Sequence, residues 1–171
     1  GNLRAITPVT LGVFFLFAYD AKGINGWDDI EGRTIFNGPP RGGALTNARS
    51  MIQIVAGLKD GEGYTGMQTN WGQATSVISS GEPDAVVLPE LFPGSRLTEV
   101  TAAGKMTGWS MPRDVYEGEA MQKYMAAPGS APFTMSIAEL SETMGEDWSF
   151  VSEDDTFRAF STVGGLVVNK D

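Results

Sequence analysis

Arg33-Thr34-Ile35-Phe36-Asn37-Gly38-Pro39-Pro40-Arg41-Gly42-Gly43-Ala44-Leu45-Thr46 is the stretch on which the fold turns. Its first residues, Arg33–Asn37, read as a short strand. Beyond it Leu45, Ala48, Met51, Ile52, Val55 and Leu58 recur at helical spacing, which predicts a helix from about Ala44 to Leu58. Lys59 suits the negative end of that helix, and Gly61 is a candidate terminator. A glycine-rich turn between strand and helix exposes backbone N–H groups at the positive end of the helix dipole, and both favour an anion. Arg41 offers a planar, bidentate grip on a carboxylate or phosphate. The pattern is not a nucleotide loop, because no Gly-Lys-Ser/Thr follows, and it is not Gly-x-Gly-x-x-Gly. Gly and Pro also punctuate ordinary turns that hold no ligand.

Working outward, Thr10–Tyr19 contains Val13-Phe14-Phe15-Leu16-Phe17, whose β-branched and aromatic content reads as a buried strand. The apolar run Val9–Tyr19, broken by Gly12, is shorter than the roughly 20 residues that span a bilayer. Trp27-Asp28-Asp29-Ile30 reads as a helical turn. Gly63–Gln68 is ambiguous and includes a candidate short strand. Thr69 or Asn70 caps a helix over Trp71–Ser80, Gly81 stops it, and Asp84–Leu88 is a buried strand. This alternation predicts an α/β domain.

Past Arg96 the signals thin out. Ser110-Met111-Pro112 opens a predicted helix carrying Val115, Met121, Tyr124 and Met125. Ser136–Glu139 has capping-box spacing before Leu140 and Met144, and Ser152–Asp155 matches the same loose pattern. Thr162–Asn169 closes the chain as an apolar strand. The methionines of this half read as core filling rather than as an adaptable contact surface. The acidic residues Glu146, Asp147 and Glu153–Asp155 lack calcium-loop spacing and read as a solvated face.

Composition narrows the function. The 171 residues suit one domain, with no internal repeat or linker, and 42% hydrophobic content with 19% charge is that of a globular protein. A net charge of −9 without a basic run argues against nucleic acid. The chain has no histidine and no cysteine, which removes thiol nucleophiles, thiolate zinc sites and the commonest general base. No compact carboxylate or lysine pair suggests an enzyme. Ligands of open α/β sheets bind beyond the carboxyl ends of strands, which nominates Asn37 and Gly38 after one strand and Pro89, Glu90 and Phe92 after another. Glu90 is either an acceptor for an amino group or a solvated loop carboxylate. Trp71 either walls a cleft or packs.

In this order the chain resembles the TAXI-type solute-binding subunits of TRAP transporters. Trp27–Pro40 is similar to the family's D-L-x-G-K-x-V-x-x-G-P-P approach to its glycine loop. Ser80-Gly81-Glu82-Pro83-Asp84-Ala85-Val86 looks like its D-G-x-x-D-A helix-to-strand turn, and Thr162–Lys170 is placed like the strand leading back into the first lobe. The match covers roughly Thr10–Glu90, and Leu91–Phe160 matches poorly. The resemblance implies one α/β lobe, spanning 1–171, of a two-lobe periplasmic-binding-protein-like fold, with a mixed sheet flanked by helices. It implies no cofactor, no metal and no covalent chemistry.

Where the family loop runs close to G-P-P-G-S-G-T, this chain has Gly38-Pro39-Pro40-Arg41-Gly42-Gly43-Ala44, with Thr46 nearby. Arg41 stands for a glycine and Ala44 for a hydroxyl residue; Arg41 either grips a carboxylate, fills space or pairs with Glu90. The implied ligand is a small organic acid, including dicarboxylates and acidic amino acids. The implied partners are TRAP membrane subunits, the implied location is periplasmic, and any export signal is expected outside this chain. The alternative is a cytoplasmic enzyme or regulatory effector domain that binds a phosphate ligand at Gly42-Gly43. A third is an oligomerising structural domain.

Overall fold

A computed structural model describes residues 3–169, with side-chain surroundings for 12–164; Lys170 of the family match lies outside them. Strand β1 (Leu3–Tyr19) is the spine. It leads through two 3₁₀ turns, Asp20–Lys22 and Trp27–Asp29, to β2 (Thr34–Gly38) and α1 (Gly43–Ala56). Then come β3 (Thr65–Gln68), α2 (Trp71–Ser79), β4 (Ala85–Glu90) and α3 (Ser95–Glu99), the last running into a 3₁₀ turn over Val100–Ala103. The second half holds β5 (Met106–Trp109), α4 (Arg113–Glu117), α5 (Glu119–Met125), β6 (Ser130–Ser136), α6 (Ile137–Met144), β7 (Trp148–Val151) and β8 (Thr156–Asn169).

The fold is α/β, an open mixed sheet of eight strands flanked by helices. Its main path runs β3-β2-β4-β1-β5-β7, with β8 beside β1 and β6 beside β8. Strands β2, β3 and β4 are parallel to one another, as are β5 and β7, and β1 runs antiparallel to β4, β5 and β8. Length lets β1 serve two neighbours in series on one side. Leu16–Tyr19 pairs β5, and Leu3–Phe14 pairs β8. Val13 is level with Glu90, the last residue of β4, so the β1–β8 ribbon projects beyond the edge where the parallel strands end. Gly12 sits at this exit, where a Cβ would stand 2.5 Å from Pro89 Cβ. The glycine that interrupts the apolar run is there for close passage of β4.

The run Val13–Phe17 is apolar throughout because both faces of β1 are covered, as in other buried strands. Phe14 and Leu16 join Ile35, Val87 and Phe160 under α1, which contributes Ala48, Met51 and Ile52. Phe15 and Phe17 join Phe36, Leu88, Trp148 and Phe157 under α2, α3 and α6. Phe15 lies 4.9 Å from Phe17 and 5.0 Å from Phe92 between ring centroids. Such rings each bury on the order of 1.5–3 kcal/mol of transfer free energy. Met51, Met111, Met121 and Met125 are buried on the α1 face of the sheet and Met106 on the other.

Several expectations are corrected. Helix α1 ends at Ala56, not Leu58, because Gly57 adopts φ 72° and its N–H closes on Gln53 O at 2.9 Å. The helix expected beyond Pro112 is two helices, since Gly118 is extended (φ −68°, ψ 154°). Ser152–Asp155 is a bend rather than a helix start: Asp154 there accepts from Arg158 Nη1 and Nη2 at 3.0 and 2.9 Å and from the Thr156 N–H at 2.9 Å. Those donors, with the charges of Arg113 and Arg158, hold the Asp154 carboxyl well below the usual range. The short strands β5, β6 and β7 were not anticipated.

Candidate functional site

Strands β2, β3, β4, β5 and β7 share a direction, so their carboxyl ends form one edge. The Gly38-Pro39-Pro40-Arg41-Gly42 loop leaves this edge from β2 and enters α1. Gly38 (φ 122°) lets the chain fold back so that its missing Cβ would lie 3.5 Å from the Leu45 N. Gly42 (φ 106°) is the N-cap of α1 and has no side chain to cap it. The first-turn donors of the helix therefore face outward with no protein oxygen supplied by the cap. Arg41, Gly42 and Gly43 are exposed, and Ala44 is half-buried. Arg41 makes no ion pair among the described residues. Thr46 turns its hydroxyl back onto Gly42 O at 3.3 Å. Gly38, Arg41, Gly42, Gly43, Ala44 and Thr46 are thus gathered in one turn.

Asn37 lies underneath it. At 0% exposure, its Nδ2 donates to Asp60 Oδ2 at 3.1 Å and its Oδ1 accepts from Gln68 Nε2 at 2.7 Å. Both ends of the amide are engaged, so Asn37 anchors the loop rather than offering itself to a ligand. Asp60 also accepts from Arg49 Nε at 2.9 Å and from the Gly66 N–H at 2.8 Å. Burial pushes this carboxyl up, but the donors Asn37, Arg49 and Gly66 together hold it below its ordinary value. One carboxylate therefore ties β2, α1 and β3 together behind the loop.

Glu90 occupies the other face. Along β4, Val86 and Leu88 point under α2 and α3, and Glu90 continues that alternation. It is 4% exposed and pairs with Arg96, Nε to Oε1 at 2.6 Å. The solvated-loop reading of Glu90 is therefore corrected, and so is its pairing with Arg41: the partner is Arg96. Burial pushes the Glu90 carboxyl up, and Arg96 opposes that shift. The Arg96 guanidinium in turn lies 4.9 Å over the Trp71 ring, and Trp71 is 42% exposed at the start of α2. Asn70 caps that helix through Gln73 N at 3.1 Å, as its sequence suggests.

Asp60, Arg49, Gln68 and Arg96 escaped the sequence reading. Their signal is faint: a lone Asp before a Gly-Glu-Gly turn, and an Arg six residues past Glu90, resemble ordinary surface charges. Among the described residues no group of His, Cys, Asp and Glu is arranged to hold a metal ion, and no helix is long and apolar enough to cross a membrane. A scan against protein-family models and a search of curated proteins both return no match to this chain.

Proposed function

We propose that this chain is a lobe of an extracytoplasmic solute-binding protein that captures a small organic acid for TRAP-type uptake. The observation that carries the reading is the loop from Gly38 to Gly43. It opens a helix of fourteen residues with no side-chain cap, exposes Arg41 beside the first-turn donors, and stands on the buried Asn37–Asp60 network. Backbone N–H groups at a helix start, a positive dipole end and a guanidinium together suit a carboxylate. The loop lies where open α/β sheets bind ligands.

The second support is architectural. The paired strands β1 and β8 leave the sheet from the edge that holds the loop. A two-stranded connection at that position suits a hinge, around which a second lobe closes over a ligand. Binding then selects the closed state, and the membrane subunits recognise it. The chain's own groups bind and orient; no bond is made or broken.

A thermal-shift screen of succinate, glutamate and inorganic phosphate tests the proposal, using the full-length gene product and this chain. A ligand that binds the folded state raises the melting temperature increasingly above its Kd. The expected result is a concentration-dependent shift with a carboxylate that Arg41→Ala removes. A shift with phosphate alone would overturn the reading and favour a phosphate-binding effector domain.

A further inference from the structure

The four tryptophans of the chain do not share one fate. Trp148 donates its Nε1–H to Leu97 O at 2.9 Å, and Trp71 stands exposed at the start of α2. Trp27 and Trp109 are 7% and 6% exposed, yet neither indole N–H bonds to another described residue. That of Trp27 is enclosed by protein atoms and has no acceptor. Gly26 (φ 141°) abuts the pyrrole edge of Trp109, where a Cβ would lie 3.6 Å from Cδ1 and 3.9 Å from Nε1. Bearing no side chain, Gly26 leaves that edge uncovered. A donor taken out of water and left without an acceptor is costly, and such groups are normally paired.

Both rings border a cavity of about 320 Å³ on the α1 face of the sheet, at the carboxyl ends of the parallel neighbours β5 and β7. Met111, Pro112 and Val151 complete an apolar wall. The hydroxyls beside it are already engaged. Ser110 Oγ donates to Met111 O at 2.9 Å and accepts from the Arg158 N–H at 2.8 Å, and Ser152 Oγ donates to Thr156 O at 2.6 Å. Among the described residues Glu153 is the one charged side chain on the lining, and it accepts from the Arg113 N–H. Its charge repels an anion. A cation meets the wrong part of the indoles, since the edge that carries the N–H is the positive part of the ring. A flat, neutral, apolar molecule with one acceptor oxygen matches both the wall and the unpaired donors.

We propose that this cavity binds a small neutral aromatic molecule, with the indole N–H groups of Trp27 and Trp109 donating to its carbonyl oxygen. The Trp27 donor is enclosed, so an acceptor reaches it only by pressing between the walls, and an apolar ring on the same molecule anchors that insertion. The site stands across β1 from the Gly38 loop and does not rest on the reading of that loop.

NMR of the four indole N–H resonances in the isotope-labelled protein tests this, with benzamide as the probe. Toluene lacks the acceptor, acetamide lacks the ring, benzoate is an anion and benzylammonium a cation. The expected result is a saturable benzamide shift of the Trp27 and Trp109 resonances, with those of Trp71 and Trp148 unmoved and each comparator binding more weakly. Trp27→Phe keeps a ring and removes the N–H, which lowers benzamide affinity about tenfold and brings it to the level of toluene. Affinity for any comparator equal to that for benzamide overturns the proposal. So does the absence of saturable shifts, an equal response at Trp71 or Trp148, or an unchanged affinity in Trp27→Phe. If that variant does not fold, Val151→Trp decides, because Val151 is an exposed strand residue at the cavity and a larger side chain there fills it. An unchanged benzamide affinity in Val151→Trp overturns the site.

Discussion

Asp60 and Glu90 stand behind the same sheet edge, on opposite sides of it, and they have been treated differently. Asp60 accepts from Asn37, Arg49 and Gly66, and its carboxyl is held below the ordinary value. Among the described residues Glu90 accepts from Arg96 alone, and burial pushes its carboxyl up. A carboxylate with its acceptor capacity filled is a structural tie. One with a single side-chain donor in a buried setting is held less firmly in its charged form. Glu90 is also the more deeply buried of the two, and the greater burial and the fewer donors act in the same direction.

The largest effect that sharpens this contrast is expected at Gly66. A Cβ there would fall 2.2 Å from Asp60 Oδ2 and 2.5 Å from Oδ1, so Gly66→Ala must expel the carboxylate from its donors. Overpacking and orphaned buried donors together predict a loss of about 3 kcal/mol in urea unfolding. Next comes Asp60→Ala against Glu90→Gln. The first leaves Asn37 Nδ2 and the Gly66 N–H without an acceptor, for an expected loss of about 2 kcal/mol. The second keeps an acceptor for Arg96 and removes a buried charge, for an expected change of under about 1 kcal/mol at neutral pH. Equal losses would break the comparison.

Acid titration of stability separates the pair by sign. The folded Asp60 value lies below the unfolded one, so its contribution is complete above the unfolded Asp value of about 3.9 and is lost as pH falls through the folded value. The folded Glu90 value lies above the unfolded one. Its contribution is complete below the unfolded Glu value of about 4.3 and is lost as pH rises through the folded value. Unfolding midpoints measured in steps across the acid range should therefore show Asp60→Asn flattening the acid loss. Glu90→Gln should remove a loss on the way up towards neutrality. The same slope change in both variants would contradict the opposite shifts of the two carboxyls.

The smallest effect on stability is expected at Arg41. It is exposed and unpaired among the described residues, so Arg41→Ala should move stability by no more than about 0.5 kcal/mol. Calorimetry should show an unchanged melting temperature in the absence of ligand. A substantial loss would mean that the loop is held by Arg41 rather than by the Asn37–Asp60 tie.

How far the sequence could be read depends on where in the chain one looks. The β2 strand, the loop, α1, α2 and β4 were legible because each carries a local cause: helical spacing, an Asn cap at Asn70, a glycine stop, an apolar run. Strand β6 contains Pro132, which argues against a strand, yet among the described residues β6 pairs only β8, and an outer strand tolerates a missing N–H. Strands β5 and β7 have four residues each, too short for alternation to stand out. Gly108 in β5 looks like a breaker, but a Cβ there would lie 2.8 Å from Phe15 Cε2, so the ring of β1 requires it.

The candidate site divides the same way. The Gly38–Gly43 loop announces itself, since a turn of this kind is coded by consecutive residues whose backbone freedom and missing Cβ atoms act locally. The fate of Asn37 and Glu90 does not. Asn37 meets Asp60 across 23 positions and Gln68 across 31, and those contacts turn a nominated ligand residue into an anchor. Glu90 becomes buried only because α2 and α3 close over its face. By itself the sequence determined the α/β alternation, the buried spine and the glycine-rich turn, because short-range periodicity and glycine geometry carry them. The donor count at each carboxylate and the exit of β1 and β8 from the carboxyl edge of the parallel strands were decided by tertiary structure. They depend on which distant residues the sheet order brings within hydrogen-bond reach.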